Sequence, residues 1–375
     1  MEEKMVNRIR NITLLFFTVL SCAFGNVKTL DIGAAAPDFK LIGIDGQYYT
    51  LNSFAKADIL VIIFTANHCP TAQAYEERIM KLVDDYKDKG VAVVCISSNN
   101  PDALRLDEYG YTDIGDSYED MKQRARERNF NFPYLYDGDK QLAAKAYGAI
   151  ATPHVFIFDK NRKLRYTGRI DNGENITKVT SHDTRNAIDA LLAGKKVPVE
   201  KTKVFGCSIK WASKQKYAQA TLEKMNAEKV ELSSIDIAGI QELLENKSEK
   251  LRLINFWATW CGPCVAEFPE LIKINRNYRK RKFEMITVSL DPPNKEEQAL
   301  KFLKKSYAST HNYLFNSDDK YQLIEIVDKD WPGSLPFTII VKPGGEIIYK
   351  KLGMIDPMEV RKVIIEYLGR YWEHL

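Results

Sequence analysis

The sequence predicts an α/β protein with two tandem domains, each built from a central mixed sheet flanked by helices. The chain has 375 residues, which is more than one hydrophobic core usually organises. Strand and helix signals alternate along most of it, and the order found over residues 38–171 returns from residue 251 onward. The composition, with 45% hydrophobic and 28% charged residues, is typical of soluble globular domains.

The first strand predicted in the first half is Ile59–Phe64, because this continuous β-branched run is typical of strands buried on both faces. Amphipathic and charged stretches after it predict helices, and shorter apolar runs predict further strands. The expected helices are Ala72–Tyr86, Ser117–Arg128, Gln141–Tyr147 and Asp183–Leu192, and the other expected strands are Val91–Ser97, Val155–Phe158 and Lys163–Tyr166.

The second half repeats this order after a joining helix, which we expect at Tyr217–Glu228. The turn Pro343–Gly345 separates its last two strands, and Asp356-Pro357 is a start signal for the final helix. The expected strands are Leu251–Phe256, Glu284–Leu290, Phe337–Val341 and Glu346–Lys350, and the expected helices are Ala266–Tyr278, Glu296–Ser306, Lys320–Val327 and Asp356–Gly369.

Composition and spacing argue against several classes of function. The formal net charge of +4 is too small to indicate a nucleic-acid-binding protein. No glycine-rich phosphate loop lies in the required context, so we expect no organic cofactor. A zinc site needs matched pairs of ligands, but the five histidines form no second pair, and four cysteines stand singly: Cys22, Cys69, Cys95 and Cys207. We therefore expect no metal cofactor either.

Residues 1–25 have the features of an export signal, with positive charges at Lys4, Arg8 and Arg10 before a short apolar run. Cleavage after Gly25 would release a soluble product, whereas an imperfect lipoprotein box ending at Cys22 would give a lipid-anchored one. The run is short for a transmembrane helix, which leaves an uncleaved anchor as a third option. We expect an exported protein of the periplasm or cell envelope, where a dithiol must be supplied with electrons.

Trp260-Cys261-Gly262-Pro263-Cys264 carries the strongest chemical signal. It lies between an expected strand and an expected helix, and the free N–H groups and dipole of a helix N-terminus favour a thiolate at Cys261. One helical turn brings Cys264 back beside Cys261, so the two can form and break a disulfide. The other interpretations of the pair are a purely structural disulfide and half of a zinc site.

The second half resembles the TlpA/ResA-type thioredoxin-like thiol–disulfide oxidoreductases. The resemblance rests on the string Leu253–Cys264 and on Ser334–Thr338. It implies a thioredoxin fold in which Pro336 occupies a cis-proline loop facing the dithiol. In that fold Trp260 and the backbone of Leu335 would contact the substrate.

Glu267 is a further candidate catalytic residue, because it lies three residues beyond Cys264 on the same helix face. The resemblance places the family's acidic residue at this position. A partly buried carboxyl group there would have a raised pKa and could move protons to and from the cysteines. The alternative is an ordinary glutamate on the helix surface.

The first half resembles the peroxiredoxin-like redoxin family of the alkyl hydroperoxide reductase/thiol-specific antioxidant type. The resemblance rests on six strings: Ala36–Phe39, Asn67–Pro70, Tyr147–Ala149, Thr152–His154, Gly168–Asp171 and Phe205–Trp211. Relatives usually carry a cysteine at the position of Ala66, and often one at that of Ala151. This chain therefore lacks the local dithiol.

Cys69 and Cys207 remain as a candidate second redox site, because two separate cysteines in an oxidising compartment can pair if the fold brings them together. Either they form a bridge or the first domain has no redox activity. Cys95 lies in an apolar strand and is expected to be a core thiol. A copper site made by His68, Cys69 and Cys207 is another option, although its ligand spacing is unspecific.

We therefore expect an exported thiol–disulfide oxidoreductase that uses the Cys261–Cys264 dithiol to reduce or exchange protein disulfides. Its expected partners are disulfide-containing client proteins and a membrane-bound or soluble thiol electron donor. The alternatives are a thiol peroxidase with Cys69 as the peroxidatic residue, recycled by the second domain, and a first domain that only docks clients. The expected divisions are a signal segment (1–25), a redoxin domain (28–211), a linker helix (212–228) and a thioredoxin-like domain (229–375).

Overall fold

The computed structural model describes residues 27–317 and 319–370, so the expected signal segment and Cys22 lie outside the described residues. Within this part of the chain, the strands form one large sheet in each half, and helices pack on both faces of each sheet. We call the first sheet with its helices the first domain and the second sheet with its helices the second domain. Among the described residues, no helix is both long and apolar enough to cross a membrane.

The first domain alternates strands and helices. Residues 59–65 form a strand because most of their side chains are β-branched or aromatic, and all of them are buried. In chain order its elements are β1 (Lys40–Gly43), β2 (Tyr48–Thr50), β3 (Ile59–Thr65), α1 (Pro70–Tyr86), β4 (Val91–Ser97), α2 (Tyr118–Arg128), β5 (Tyr134–Tyr136), α3 (Leu142–Tyr147), β6 (Ala151–Thr152), β7 (His154–Phe158), β8 (Leu164–Gly168), α4 (Asp183–Leu192) and β9 (Cys207–Ser208).

The first sheet has the strand order β2-β1-β5-β4-β3-β7-β8 and is mixed. Strand β3 runs parallel to β4 and antiparallel to β7, with Ile62 opposite Val94 on one side and Phe156 on the other. Strand β9 pairs separately with β6, so that Cys207 lies opposite Thr152. The C-terminal strand of the first domain therefore lies beside β6, which in turn contacts β3.

The second domain follows a joining helix, α5 (Gln215–Asn226). Its elements are β10 (Ser233–Ile235), α6 (Ile237–Glu245), β11 (Leu251–Trp257), α7 (Gly262–Tyr278), β12 (Phe283–Ser289), α8 (Glu296–Lys305), β13 (His311–Phe315), α9 (Lys320–Val327), β14 (Phe337–Val341), β15 (Ile347–Leu352) and α10 (Pro357–Leu368). The sheet order is β10-β13-β12-β11-β14-β15, with β11 parallel to β12 and antiparallel to β14.

Strands β3 and β11 each contribute to two hydrophobic clusters, because alternate side chains of a strand point to opposite faces of its sheet. In β3, Ile63 packs with α1 and α4, whereas Phe64 packs with α3. In β11, Leu253 packs with α7 and α10, whereas Phe256 packs with α6 and α9. Burial on both faces explains why these strands are apolar throughout.

The two domains are joined by polar contacts between the end of α7, the end of α10 and the first domain. The Tyr278 hydroxyl donates to the Thr112 carbonyl at 2.7 Å, and both atoms are buried. Arg370 donates to Gln73 at 2.8 Å and pairs with Asp113 at 2.9 Å. Gln73 in turn donates to the Asn67 carbonyl, so the second domain reaches the loop that carries Cys69.

The expected strands and helices are present, with ends that differ by a few residues. Sequence inspection missed several short elements, namely β1, β2, β5, β6, β9, β10, β13 and α6. Most are edge strands or short strands whose residues alternate too briefly to give a clear pattern. Helix α1 begins at Pro70 rather than Ala72, because Cys69 acts as its N-cap and proline is tolerated in the first turn.

Candidate active site

Strand β11 and helix α7 place Cys261 and Cys264 as the sequence predicts. Cys261 is the N-cap residue of α7, and its sulfur accepts the Cys264 N–H at 3.2 Å. The two cysteines form a disulfide, with their Cα atoms 5.3 Å apart. Donation from a helix N-terminus stabilises negative charge, which favours Cys261 as the thiolate once the bond is reduced.

The surroundings of this disulfide are accessible. Trp260 has 64% of its surface exposed, and Gly262 and Pro263 are also exposed. Cys261 keeps 5% exposure and Cys264 only 1%, so Cys261 is the more accessible sulfur. An approaching thiol or disulfide therefore meets Cys261 first.

A buried carboxylate fixes the loop before the dithiol. Asp291 follows β12 and accepts the Thr259 N–H at 2.9 Å and the Thr259 hydroxyl at 2.7 Å. The Ser289 hydroxyl donates to the same carboxylate at 2.7 Å. Asp291 was missed from sequence because a single Asp after a strand gives no distinctive signal.

Glu267 is buried on α7 and is held by two donors. Its carboxylate accepts the Asn255 amide at 3.0 Å and the Ile355 N–H at 2.8 Å. Burial raises the pKa of Glu267, and these two hydrogen bonds oppose that rise. The surface-glutamate alternative is therefore wrong, because only 3% of Glu267 is exposed.

The loop before β14 connects to the same network. Asn255 also donates to the Thr338 hydroxyl at 2.9 Å, which joins β11 to the strand that begins after Pro336. The Leu335–Pro336 bond is cis, and Leu335 packs against the hydrophobic cluster to which both cysteines belong. Trp260, Leu335 and the dithiol thus lie around one end of the second sheet.

The first domain repeats the helix-capping arrangement at Cys69. This residue is the N-cap of α1, and its sulfur accepts the Ala72 N–H at 3.3 Å. The Cys69 thiol reaches the Thr152 carbonyl at 3.3 Å, beside the cis bond Thr152–Pro153. In contrast to Cys261, Cys69 is completely buried.

A buried ion pair precedes Cys69. His68 Nδ1 lies 2.5 Å from Asp116 Oδ2, and the other Asp116 oxygen accepts the His68 N–H at 3.1 Å. Asn99 donates to Asp116 at 2.9 Å. Burial lowers the pKa of His68, but the Asp116 charge and hydrogen bond outweigh it, so the net pKa is raised.

Cys207 lies against Cys69, in the small cluster that also contains Ala66 and Ala72. Burial raises the pKa of the Cys69 thiol, but interactions with Cys207, His68, Thr152 and the Ala72 N–H lower it to about 6. The same contact with Cys69 and burial raise the pKa of Cys207. The fold therefore brings together the two cysteines of the candidate second site, with the negative charge favoured on Cys69.

The positions of Cys95 and His68 bear on the two remaining expectations, a core thiol and a copper site. Cys95 is buried in β4, and burial alone raises its pKa, as expected for a core cysteine. Over residues 27–317 and 319–370, no three His, Cys, Asp or Glu side chains are arranged to hold a metal ion. His68, the histidine of the copper-site alternative, contacts Asp116.

Comparison with known families agrees with this geometry. Residues 32–167 match the model of the AhpC/TSA family, and residues 238–364 match that of the Redoxin family. The chain is a tandem of two thioredoxin-like redoxin domains. This confirms the expected fold class and both resemblances, with an AhpC/TSA domain first and a Redoxin domain second.

Curated relatives of this tandem redoxin chain are named thiol-disulfide oxidoreductase ResA. The protein from Oceanobacillus iheyensis is 30% identical over 125 residues, which are 33% of this chain and 57% of that protein. The one from Bacillus subtilis is 24% identical over 127 residues, covering 34% and 60%. The chain thus spans less than two thirds of either relative, and their names agree with the enzyme class expected from the sequence.

Among solved structures, a hypothetical protein from Sinorhizobium meliloti is similar to the tandem redoxin chain. It has 35% sequence identity and a TM-score of 0.44, and the match covers 50% of this chain and 97% of the other.

The thiols of the AhpC/TSA and Redoxin domains form separate sites. Cys261 and Cys264 belong to the large cluster of the Redoxin domain, whereas Cys69 and Cys207 belong to a small cluster of their own. Among the described residues, no hydrogen bond or disulfide joins the two pairs.

Proposed function

We propose that the chain is a thiol–disulfide oxidoreductase that exchanges disulfides of client proteins at Cys261 and Cys264. The observation that carries this proposal is the position of Cys261, which is the N-cap of α7, the more exposed cysteine of the pair, next to the exposed Trp260 and within one turn of its partner. The names of the ResA relatives support the same reaction class.

In the reduced protein, the Cys261 thiolate attacks one sulfur of the client disulfide and releases the other client sulfur as a thiolate. A mixed disulfide then joins Cys261 to the client. Cys264 loses its proton and attacks Cys261, which regenerates the enzyme disulfide and releases the second client thiolate. Two electrons pass from enzyme to client, and the reverse sequence oxidises a client dithiol.

Glu267 would handle the protons of this cycle. Its pKa is raised by burial, so the carboxyl group can exist in either protonation state nearer to neutral pH than an exposed glutamate. Asn255 and the Ile355 N–H hold the carboxylate in place. Leu335 and Trp260 would contact the client segment, and Pro336 would set the loop that presents Leu335.

A trapping experiment tests the proposal. Cys264→Ser should leave a covalent adduct between Cys261 and a client after acid quenching, because the resolving thiol is missing. Cys261→Ser is the matched control and should give no adduct. Dithiothreitol should release the client, and the absence of any dithiothreitol-sensitive adduct would count against the proposal.

Export also belongs to the proposal, because it rests on residues 1–25. The expected product is periplasmic or bound to the cell envelope, with Cys22 as the lipid attachment site in the anchored form. An electron donor, either a membrane protein or a soluble thiol, would keep the dithiol reduced in that compartment. Fractionation of cells producing the full chain, with Cys22→Ser as the control for lipid attachment, tests this part.

A second candidate function is a thiol couple formed by Cys69 and Cys207. Contact between these cysteines supports it, as does the thiolate-favouring environment created by His68, Thr152 and the α1 N-terminus. If peroxide oxidises Cys69 to a sulfenic acid, Cys207 can displace water and form a disulfide. If it does not, the first domain would serve only to dock clients.

Peptide mapping of the unreduced, alkylated protein separates these alternatives. A Cys69–Cys207 disulfide that forms on peroxide treatment, together with single-turnover peroxide consumption that survives Cys261→Ser but not Cys69→Ser, supports the peroxidase. Free thiols at both positions after the same treatment support a docking domain, which should keep client binding in Cys69→Ser.

A further inference from the structure

A cleft of about 360 Å³ lies between the joining helix α5, helix α7 and residues 102–106 of the first domain. Its walls are largely apolar, and its volume falls within the range of small-molecule sites, which often lie between domains. The apolar side chains lining it include Leu104, Leu222, Met225, Pro269 and Ile272. It is separate from both thiol sites.

Arg276 of α7 lines this cleft and is only 4% exposed. Within residues 27–317 and 319–370, it forms no ion pair, and its Nε has no hydrogen-bond partner. Its Nη2 makes only long contacts, to the Met225 carbonyl at 3.3 Å and the Tyr307 carbonyl at 3.4 Å. Burial and the nearby Arg279 lower the pKa of Arg276, against the opposing effect of Glu228.

Arg124 of the first domain shows how this protein satisfies an equally buried arginine. Its exposure is 5%, and it makes two hydrogen bonds to Glu76, at 2.9 Å and 2.8 Å. An isolated buried charge is costly, so buried arginines are normally paired with carboxylates. Arg276 differs from Arg124 by lacking this partner, although it has open space beside it.

A second polar group in the cleft also lacks a partner. The Asn226 Oδ1 atom is buried without a hydrogen-bond donor among the described residues. The other charged residues of the lining are Arg105, Lys273 and Asp102, so cations outnumber anions. The cleft thus offers an unpaired guanidinium group, an unpaired acceptor and apolar walls.

We propose that this cleft binds a small organic monocarboxylate that has an apolar body and a hydrogen-bond donor. The carboxylate pairs with Arg276, the apolar body packs between α5 and α7, and the donor meets Asn226. Because both domains and the joining helix line the cleft, the bound ligand stabilises their arrangement. The site does not depend on the proposed disulfide exchange.

Calorimetric titration of the full chain with N-acetylphenylalanine and with its neutral carboxamide tests the site. The two probes have nearly the same shape but differ in charge. The acid should bind about 10- to 100-fold more tightly than the amide, which is the range for a hydrogen-bonded charge pair. Arg276→Met should abolish this preference, whereas Lys301→Met, on the exposed side of α8 and outside the cleft, should keep it.

Thermal unfolding separates a ligand-binding role of Arg276 from a structural one. Replacing a buried charge that lacks a counter-ion by methionine should not lower the Tm of the ligand-free protein, and the acid should no longer raise it. If Arg276→Met folds poorly, Thr221→Trp fills the cleft from the α5 side and should abolish binding of the acid. Lys216→Trp, on the exposed side of α5, is its control.

Three results would overturn the proposal. The first is failure of the acid to bind at millimolar concentration, and the second is equal binding of acid and amide. The third is an acid preference that persists in Arg276→Met or in Thr221→Trp. A fall in ligand-free Tm with the preference unchanged would assign Arg276 to structure alone.

Discussion

Cys69 and Cys261 occupy the same position in their domains, the N-cap of a helix, but their surroundings differ. Each is the N-cap of a long helix after a buried strand, and each sulfur accepts the N–H three residues later, at 3.3 Å and 3.2 Å. The residue at that third position is Ala72 in the first domain and Cys264 in the second. A helix start that favours a thiolate is therefore not enough to make a dithiol.

The flanking residues separate the two sites further. Cys261 follows the exposed Trp260, whereas Cys69 follows His68, which is buried in an ion pair with Asp116. The partner of Cys261 is one turn away, whereas that of Cys69 comes from β9, at the end of the first domain. The second domain therefore places its dithiol beside an exposed tryptophan, whereas the first domain encloses its thiol completely.

The largest expected effect concerns the thiol of Cys261. Cys261→Ser should reduce the rate of protein disulfide reduction by at least about 1,000-fold, because only uncatalysed exchange remains when a nucleophile is lost. Cys69→Ser should retain most of this activity. An insulin reduction assay on both variants checks the comparison, and equal losses would show that the two sites act as one.

The pKa of the buried Cys69 thiol should depend on the neighbouring ion pair of His68 and Asp116. His68→Gln removes a positive charge beside the sulfur, so the pKa of Cys69 should rise from about 6 by about one to three units. Thiolate absorbance at 240 nm in the reduced protein measures this, with Cys69→Ser defining the signal. An unchanged titration would mean that Cys207, Thr152 and the Ala72 N–H stabilise the thiolate without His68.

The free energy of unfolding of the reduced protein should also depend on the titration of Cys69. Because the folded-state pKa of Cys69 lies below its ordinary value of 9.0, the thiolate stabilises the folded protein at high pH. The stability advantage of the reduced wild type over Cys69→Ser should be full above pH 9 and disappear as the pH falls through about 6. Denaturant unfolding at several pH values measures it, and a constant difference would contradict the lowered pKa.

Glu267→Gln should have a smaller effect on exchange, slowing it by about tenfold or more and flattening its pH profile. The folded-state pKa of Glu267 is raised, so the wild type should lose stability relative to the glutamine variant as pH rises past the ordinary value of 4.5. Stopped-flow exchange and denaturant unfolding test the two halves of this prediction. An unaltered pH profile would restrict Glu267 to a structural role.

The smallest expected effect concerns the contact between domains. Arg370→Gln removes the ion pair with the buried Asp113, which should destabilise the protein by about 1–3 kcal/mol and separate the unfolding of the two domains. Differential scanning calorimetry measures both changes. A single transition at an unchanged Tm would show that Arg370 does not couple the loop of Cys69 to the second domain.

The sequence predicted the dithiol well because strand, cysteines and helix are consecutive. Cys261, Cys264 and Glu267 are close in the chain, so helix geometry alone places them. The approach of Cys207 to Cys69 could only be inferred from the lack of other partners. It depends on the pairing of β9 with β6, and each of these strands is only two residues long.

Groups joined across long stretches of the chain were missed. His68 and Asp116 are 48 residues apart, and neither residue is unusual in its local sequence. Asp291 reaches Thr259 across 32 residues in the same way. Such pairs are set by tertiary packing, which places strand ends beside one another and leaves no periodic signal.

The return of the chain at β9 has a consequence for biosynthesis. The Cys69 site is complete only when Cys207 reaches it and Asn99 accepts the Lys210 N–H at 2.8 Å. Ribosomes make the N-terminal part first, so Cys69 and Cys95 emerge long before these closing residues exist. Until then the Cys69 thiol, which is completely buried in the folded protein, is open to solvent. During synthesis it can therefore react with thiols and oxidants that cannot reach it after folding.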